Sequence, residues 1–261
     1  MATDYDTEFQ IPLSRKLYFR AQLPKLISAW RRMARNLDSK KGHIPLEDLP
    51  TDESIFGFNR DEVISHYHEN GWAFAPSFFN PEFHQKLAAN WPSKKYFDPP
   101  RKPTKWYNTG FNWIYPAEPS PFFTLHSDLA KLFLGLGSSD FLEYVSELTQ
   151  TPSVFHQFIM TDSGPGAEVP IHLDGLNRSP KNKGALGIAI FLEGTGGDNG
   201  GGLAISESNS WDDMIFEPKD LTNTALFYDK KIFHGFRQIA EGKFRHSINT
   251  LFIPTLSRED D

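Results

Sequence analysis

The sequence predicts an α+β fold, a double-sheet jelly roll supported on one face by N-terminal helices. Helical periodicity is confined to residues 1–150, whereas from Pro152 onward short β-like segments alternate with glycine-rich turns. Several short strands after a helical half are typical of a jelly roll, because its two packed sheets bury strands in both layers. The 261 residues are expected to form one domain, with helical support and a lid region in 1–150 and the jelly-roll core in 151–255.

The helical half contains four periodic segments, at 15–37, 60–70, 80–90 and 126–149. Gly71 ends the second segment and Pro81 stands just inside the start of the third, as is typical of helix termini. The arginine-rich face of the first is interpreted as a solvated outer face. Residues 92–121 are rich in proline and aromatic residues and are predicted to be irregular, either as a lid or as a loop pinned by its aromatics.

The β half contains eight strand-like segments, at 153–161, 167–174, 184–193, 202–206, 213–217, 222–229, 232–240 and 243–253. The third of these is apolar on both faces, which is typical of a strand covered on both sides. Its alternation predicts one face packed against helices and another toward the barrel interior. The packed face would hold Leu186, Ile188, Ile190 and Leu192, and the interior face Gly187, Ala189 and Phe191.

Composition excludes several classes of function. The chain has no cysteine, so it has neither a disulfide framework nor a thiolate metal site. A net charge of −6 argues against nucleic acid as a partner. The acidic residues that follow Met1 are unlike a targeting peptide, and no apolar run is long enough to cross a bilayer. We therefore expect a cytoplasmic protein without a membrane or nucleic-acid partner.

Three residues of the β half predict a site for a divalent transition metal. His172 and Asp174 stand two apart at the end of a predicted strand, so their side chains share a face while Leu173 points to the opposite one. These two ligands leave a metal under-coordinated, and His234 on a distant strand is the candidate third ligand. Two histidines and one carboxylate form a facial triad that leaves coordination positions open.

Other histidines fit a metal site less well. His126 and Asp128 repeat the His-x-Asp pattern, but they precede a helical run in which Ser127 and Asp128 are interpreted as capping residues. His66 and His68 stand two apart on a predicted helix, so their side chains diverge.

A cationic anchor is predicted on the last strand. Arg245 and Ser247 share one face of the extended segment 243–253, and a planar guanidinium offers two parallel bonds to a carboxylate. A buried arginine without an anion is very costly, so an anionic ligand is expected to meet it. Lys243 has the same strand parity and is the alternative anchor, although it lies closer to the turn at Gly242.

The order and spacing of these motifs resemble a known superfamily. From about Phe155 to Ile253 the chain resembles the 2-oxoglutarate- and iron(II)-dependent oxygenases, especially their prolyl-hydroxylase-like branch, whose core is a double-stranded β-helix of the cupin-like type. The elements that carry the resemblance are, in chain order, Gly164-Pro165-Gly166, His172-Leu173-Asp174, Ile190-Phe191-Leu192, Gly201-Gly202-Leu203-Ala204-Ile205, Phe216-Glu217-Pro218-Lys219, Leu226-Phe227-Tyr228, His234 and Arg245-His246-Ser247.

The resemblance implies cofactors and residue roles. His172, Asp174 and His234 would bind iron(II), and Arg245 with Ser247 would bind the distal carboxylate of 2-oxoglutarate, with dioxygen as the second cosubstrate. The implied reaction is hydroxylation, or desaturation or ring closure, with release of succinate and carbon dioxide.

This sequence departs from that branch at two tyrosines that line the 2-oxoglutarate pocket of its members. The corresponding places hold Met160 or Thr161, and Phe191. The second polar contact to 2-oxoglutarate is then left to Gln157 or Asn249. Asn249 continues the face of the predicted anchor and is the preferred candidate, although neighbouring backbone would satisfy its amide equally well.

A small-molecule substrate is favoured over a protein side chain, because the aromatic residues of 96–115 could cap a pocket. Trp113 and Tyr107 are the predicted aromatic contacts, and Ala189 and Phe191 the predicted pocket wall. The alternatives are a prolyl-type hydroxylase of protein side chains, a cupin-like metal-binding isomerase or sensor without oxygenase activity, and an inactive interaction module. The sequence makes no prediction of oligomeric state.

Overall fold

A computed structural model describes residues 55–92, 127–174 and 184–254, together with the backbone of 110–114. The predicted helix at 15–37, Tyr107 and His126 lie outside these residues. None of the described helices combines the length and the apolar character that a membrane span requires.

The described chain contains four α-helices, namely α1 (Arg60–Asn70), α2 (Pro81–Ala89), α3 (Ser127–Leu136) and α4 (Ser139–Thr149). Local sequence determines their ends. The Asn59 side chain accepts the Glu62 backbone N–H at 3.3 Å at the start of α1, and Gly71 closes this helix with a left-handed φ of 74°. At α2, the Asn80 side chain accepts the Phe83 N–H at 2.8 Å.

The single helix predicted at 126–149 is in fact two helices, so that prediction is wrong at its centre. Helix α3 ends at Leu136 and α4 begins at Ser139. The Ser138 hydroxyl accepts the Phe141 backbone N–H at 3.2 Å, so Ser138 caps a new helix start immediately after Gly137. A glycine followed by a capping serine favours a helix boundary over a continuous helix.

The described strands are β1 (Trp72–Pro76), β2 (Gly110–Ile114), β3 (Ser153–Ser163), β4 (Val169–His172), β5 (Leu186–Gly194), β6 (Ala204–Ser206), β7 (Met214–Phe216), β8 (Thr224–Asp229), β9 (Phe233–Phe236) and β10 (Arg245–Pro254). They form two antiparallel sheets. One has the order β1-β8-β5-β10-β3-β2, and the other has the order β4-β9-β6-β7. The predicted jelly roll with helices that precede it is therefore confirmed, and each of the eight strands predicted after Pro152 is present.

Strand β2 corrects the prediction that 92–121 is irregular throughout. Gly110–Ile114 pairs antiparallel with β3 at the end of the six-stranded sheet, and Trp113 stands opposite Ile159. A strand of five residues at a sheet edge needs only one partner, so its sequence carries a weak alternation signal.

Strand β5 separates two apolar clusters. Its residues Leu186, Ile188, Ile190 and Leu192 pack in a large cluster with side chains of the helices, such as Phe141 and Leu148 of α4. The alternate residues Ala189 and Phe191 pack between the sheets with Leu203, Ile205 and Tyr228. This arrangement agrees with the predicted alternation, and it means that the interior face of β5 forms a wall of the barrel.

Candidate metal and carboxylate site

Two histidines face each other across one antiparallel strand pair. His172 at the end of β4 stands directly opposite His234 in β9, and the ring centroids are 4.6 Å apart. Each Nδ1 lies 2.9 Å from a backbone carbonyl, that of Pro170 for His172 and that of Ile232 for His234. Because a carbonyl only accepts, each Nδ1 carries the proton and each Nε2 retains a lone pair for a metal.

Asp174 completes the cluster. Its Oδ1 lies 3.5 Å from Nε2 of His172, and its Oδ2 lies 3.5 Å from Nε2 of His234. One ligand atom from each of the three residues lies within 4.8 Å of the others. Between the two ligands, Leu173 is 41% exposed, as expected when alternate side chains of an extended segment point in opposite directions. The three residues predicted as a metal triad are thus brought together.

The electrostatics of the cluster favour metal ligation. Burial lowers the pKa of His234 to about 3, against the attraction of Asp174, so its imidazole is neutral. Burial alone would raise the pKa of Asp174, but Lys230, His234 and His172 together hold it well below its usual range. Two imidazoles and one ionised carboxylate are a donor set that suits iron(II) with open positions, so the residues fit the metal.

Lys230 and Tyr228 are part of this site, although neither was predicted as a site residue. The Lys230 ammonium donates to Asp174 Oδ2 at 2.6 Å and to the Tyr228 hydroxyl at 2.9 Å. Burial would lower the pKa of Lys230, but the attraction of Asp174 and Tyr228 outweighs it and raises the pKa above its ordinary value. The Tyr228 ring also lies against His234, with centroids 4.6 Å apart. Strand parity was the only signal for Tyr228, which stands at an interior position of β8, and Lys230 lies beyond the end of that strand.

A buried cation lies elsewhere in the barrel interior. Arg245, only 4% exposed, donates from Nη1 to the carbonyl of Gly201 at 2.8 Å, and its Nε has no hydrogen-bond partner among the described residues. Its guanidinium carbon lies 3.8 Å from the ring centroid of Phe236. Burial lowers the pKa of Arg245 to about 9, and the interaction with Tyr228 raises it. In the described part of the chain no carboxylate forms an ion pair with Arg245. Its alternative, Lys243, is exposed.

Three hydroxyl side chains, those of Thr161, Ser163 and Ser247, stand on the same β3–β10 strand pair as this arginine. Thr161 stands opposite Ser247 in the β3–β10 pair, and their hydroxyl oxygens lie 2.5 Å apart. Ser163 stands opposite Arg245, is fully buried, and its hydroxyl has no hydrogen-bond partner within the described chain. Met160 instead packs in the helix-side core, so Thr161 is the interior residue of the two that the sequence left open. Arg245 and Ser163 are in register, and each has a buried polar atom without a partner among the described residues, so the pair fits a polar ligand such as a carboxylate.

The remaining predicted site residues have mixed positions. Ala189 and Phe191 line the interior, and Asn249 is half-buried between Ala189 and Ile159 in the sheet. Trp113 has a described backbone on β2, while Tyr107 lies outside the described chain. The roles predicted for these residues remain predictions.

Gly187, predicted on the interior face of its strand, is closely packed. The Tyr228 ring and the end of the Lys230 chain lie against its Cα, where a Cβ would stand 2.6 Å from Cζ of Tyr228. The absence of a side chain at this glycine therefore leaves no open space beside the metal cluster, because two interior side chains occupy it.

The rejected histidines have structural contacts. Nδ1 of His66 lies 2.8 Å from the Trp72 carbonyl, and Nε2 of His68 lies 3.1 Å from that of Leu148, so the two side chains have separate partners. Asp128 accepts from the Asn90 side chain at 3.1 Å. This carboxylate of the second His-x-Asp pattern is thus engaged in joining α2 to α3.

Comparison with solved structures identifies the fold. A prolyl hydroxylase from Trichoplax adhaerens, solved with a peptide of the hypoxia-inducible factor oxygen degradation domain, matches with a TM-score of 0.56 at 12% identity over 75% of this chain and 89% of its own. A Pseudomonas putida prolyl-4-hydroxylase matches with a TM-score of 0.54 at 15% identity, over 76% and 100%. HygX from Streptomyces hygroscopicus, solved with nickel, 2-oxoglutarate and hygromycin B, gives 0.55 at 11% identity, over 75% and 87%.

These likenesses place the chain in one fold class. It has the double-stranded β-helix fold of the 2-oxoglutarate- and iron(II)-dependent oxygenase structures, including prolyl hydroxylases. No family model matches the sequence, and no curated protein is significantly similar to it. What this fold does in this chain therefore depends on its own site residues.

Proposed function

We propose that the protein is a non-haem iron(II)- and 2-oxoglutarate-dependent oxygenase. The observation that carries the proposal is the presence, in one barrel, of a His172–Asp174–His234 cluster and a buried Arg245 without a carboxylate partner among the described residues. The first fits a divalent metal and the second fits a carboxylate. A dicarboxylate cosubstrate that binds at both ends accounts for both features.

The chain's own residues have distinct roles in this proposal. His172, Asp174 and His234 would hold iron(II), which when bound supplies activation of dioxygen coupled to conversion of 2-oxoglutarate into succinate and carbon dioxide. Arg245 would bind the distal carboxylate through charge-assisted hydrogen bonds, and its buried position excludes competing water. The unbonded hydroxyl of Ser163 lies in register with Arg245 and is available to the same carboxylate.

Tyr228 is the best candidate for the polar contact that the sequence left to Gln157 or Asn249. It faces the interior from β8, contacts His234 and interacts electrostatically with both Arg245 and Asp174. A phenol between the cationic anchor and the metal cluster would lie beside the cosubstrate. This role is supported by position, and Asn249 remains the alternative.

The arginine separates the oxygenase from a cupin-like isomerase or sensor. A metal-binding protein that uses no 2-oxoglutarate has no need for a cation buried in the barrel interior, because that cation costs free energy unless an anion meets it. The described residues supply no such anion to Arg245.

A small molecule is proposed as the substrate, with hydroxylation as the principal outcome and desaturation or ring closure as variants. Among structures of this fold, HygX was solved with hygromycin B, whereas the Trichoplax adhaerens enzyme was solved with a peptide. The fold thus accommodates both substrate classes. A prolyl-type hydroxylase of protein side chains is the alternative.

Anaerobic titration tests the proposed function. Addition of iron(II) and then 2-oxoglutarate to the metal-free protein should produce a weak visible charge-transfer band. Iron binding without the band would support a metal protein that is not an oxygenase, and no iron binding would support an inactive module. Mass spectrometry after aerobic incubation with the small-molecule or the protein fraction of a cell extract would then show which fraction gains oxygen or loses hydrogen.

A further inference from the structure

We infer that Lys230 is a positioning residue for the Asp174 carboxylate and that Tyr228 in turn holds Lys230 in place. This inference rests on the proposed metal site but assigns a role that the facial triad itself does not require. It makes the metal centre of this chain a set of five residues in contact, in which only three offer ligand atoms.

The contacts define what Lys230 does to the carboxylate. Its Nζ donates to Asp174 Oδ2 at 2.6 Å, while Oδ1 lies nearest to Nε2 of His172, at 3.5 Å. A carboxylate on a short side chain rotates about its terminal torsion, whose energy profile is broad. A short charge-assisted bond to Oδ2 restricts that rotation, and it keeps Oδ1 directed toward His172 and Oδ2 within 3.5 Å of Nε2 of His234.

Several contacts with surrounding residues hold the Lys230 ammonium in position. Its hydrogen bond to Tyr228 is 2.9 Å long, and its Nζ lies 4.5 Å from the centroid of that ring. The Lys230 backbone N–H donates to the Ala185 carbonyl at 3.0 Å. The Lys230 side chain is 10% exposed, in contrast to 52% for Lys231, which reaches Asp229 only at 3.9 Å.

Gly187 provides the space for this arrangement. A Cβ on Gly187 would stand 2.6 Å from Cζ of Tyr228 and 2.9 Å from both Cε and Nζ of Lys230. The φ of Gly187 is not in the left-handed region, so the backbone there does not itself require glycine. The absence of a side chain at this interior position of β5 therefore serves to admit the Tyr228–Lys230 pair.

A competing interpretation of Lys230 predicts the opposite change in metal affinity when this residue is replaced. If Lys230 merely neutralised Asp174, it would compete with a metal for the same oxygen, and its removal would strengthen metal binding. If it positions the carboxylate, its removal should weaken metal binding, because the free carboxylate adopts orientations that do not face both imidazoles.

The experiment measures the dissociation constant for Co(II) in the absence of cosubstrate, from the visible absorption of the bound ion. Lys230→Met should raise this constant by about 10-fold or more and alter the Co(II) spectrum, whereas the exposed control Lys231→Met should match the wild type. Lys230→Arg should recover part of the affinity, because it retains a charged donor.

Two further variants keep the test informative if Lys230→Met folds poorly. Tyr228→Phe removes one hydrogen bond of Lys230 and retains the ring, so it should give a smaller loss of Co(II) affinity. Gly187→Ala should weaken binding without removal of any polar group, because its methyl displaces both side chains.

The outcomes separate this inference from the proposed function. A wild-type protein that binds no Co(II) would contradict the metal site itself. If the wild type binds Co(II) and Lys230→Met binds it equally well or more tightly, the positioning role is overturned while the triad stands.

Discussion

The two ends of the barrel's polar interior differ in how their charges are satisfied. At the metal end, Asp174 has Lys230 as a counter-ion and both histidines have backbone acceptors for Nδ1. At the other end, Arg245 has a single carbonyl acceptor, and both its Nε and the Ser163 hydroxyl have no hydrogen bond within the described chain.

The difference shows which part of the site is complete before a ligand arrives. A cluster with an internal counter-ion is stable without metal, because its buried charge is already paired. A buried guanidinium with an unused donor is incomplete until an anion binds, since each unsatisfied group carries a desolvation cost. Binding of an anion beside Arg245 should therefore stabilise the protein, because it satisfies buried groups that have no partner in the free protein.

Loss of the carboxylate should have the largest effect. Asp174→Ala removes a ligand and leaves Lys230 without its anion, so turnover should fall by more than about 100-fold, beyond the usual effect of an outer-shell partner. The protein should still fold, since this residue is not part of the apolar core. Succinate release and iron binding measure the effect.

His126→Ala is the matched control for that variant, because it alters the other His-x-Asp pattern. It should leave iron binding unchanged. Reduced binding in this control, together with full activity in Asp174→Ala, would show that the wrong pattern was assigned to the metal.

Loss of the anchor should have the next largest effect. Arg245→Ala should weaken 2-oxoglutarate binding by on the order of 2–5 kcal/mol, as expected for a buried charge-assisted pair, while iron binding is retained. Arg245→Lys should recover only part of the affinity, because the bidentate geometry is lost. The dependence of succinate formation on 2-oxoglutarate concentration provides the measurement, and exposed Lys243→Ala provides the control. A defect confined to Lys243→Ala would reverse the assignment.

Acid should destabilise the metal end of the metal-free protein. The pKa of His234 is lowered to about 3 by burial, whereas an unfolded histidine has a pKa near 6.5. Between these values the unfolded chain binds more protons, so stability should fall as pH falls, by at most about 1.4 kcal/mol per pH unit from this group. Below about pH 4 the lowered pKa of Asp174 adds a loss of the same sign.

Urea unfolding of the metal-free protein at a series of pH values measures this slope. His234→Gln should flatten the dependence between about pH 4 and 6.5, because glutamine does not titrate. An unchanged slope in this variant would show that other groups account for it.

Loss of the Ser163 hydroxyl should have the smallest effect, with no loss of stability in the free protein but weaker binding of 2-oxoglutarate. Ser163→Ala removes a buried hydroxyl without a hydrogen bond, so the free protein should be as stable as the wild type or slightly more stable. If the hydroxyl contacts the distal carboxylate, 2-oxoglutarate affinity should fall by about 1 kcal/mol. Thermal melting and cosubstrate titration of the same variant test both signs, and unchanged affinity would remove Ser163 from the anion site.

The sequence was sufficient for features that follow from strand parity. The two-residue alternation of an extended strand placed His172 and Asp174 on one face. The same alternation placed Ala189 and Phe191 on one face of β5, and Leu186 and Ile188 on its other face. These predictions need only the local direction of alternate side chains, which the extended backbone determines.

Two features that depend on long-range packing were not predicted. Lys230 lies beside Lys231 in a turn, and the two are indistinguishable until tertiary packing buries one and leaves the other exposed. The use of Gly187 as space for Tyr228 depends on the β5–β8 register in the same way. The break at Gly137 differs from these, because Gly137 followed by Ser138 is a local signal for a helix boundary. The prediction of one helix over 126–149 gave more weight to helical periodicity than to that signal.

The pairing of β4 with β9 has a consequence for the protein's dynamics. Strand β4 stands at one end of its sheet and pairs with β9, with His172 opposite His234. A cation bound by both histidines would link β4 to β9 at this pair of residues. Metal binding would then stabilise the pairing of the outer strand, and loss of that pairing would release the metal. Slower amide hydrogen exchange in β4 on addition of metal would then show that the metal is bound and the strand is paired, without any turnover taking place.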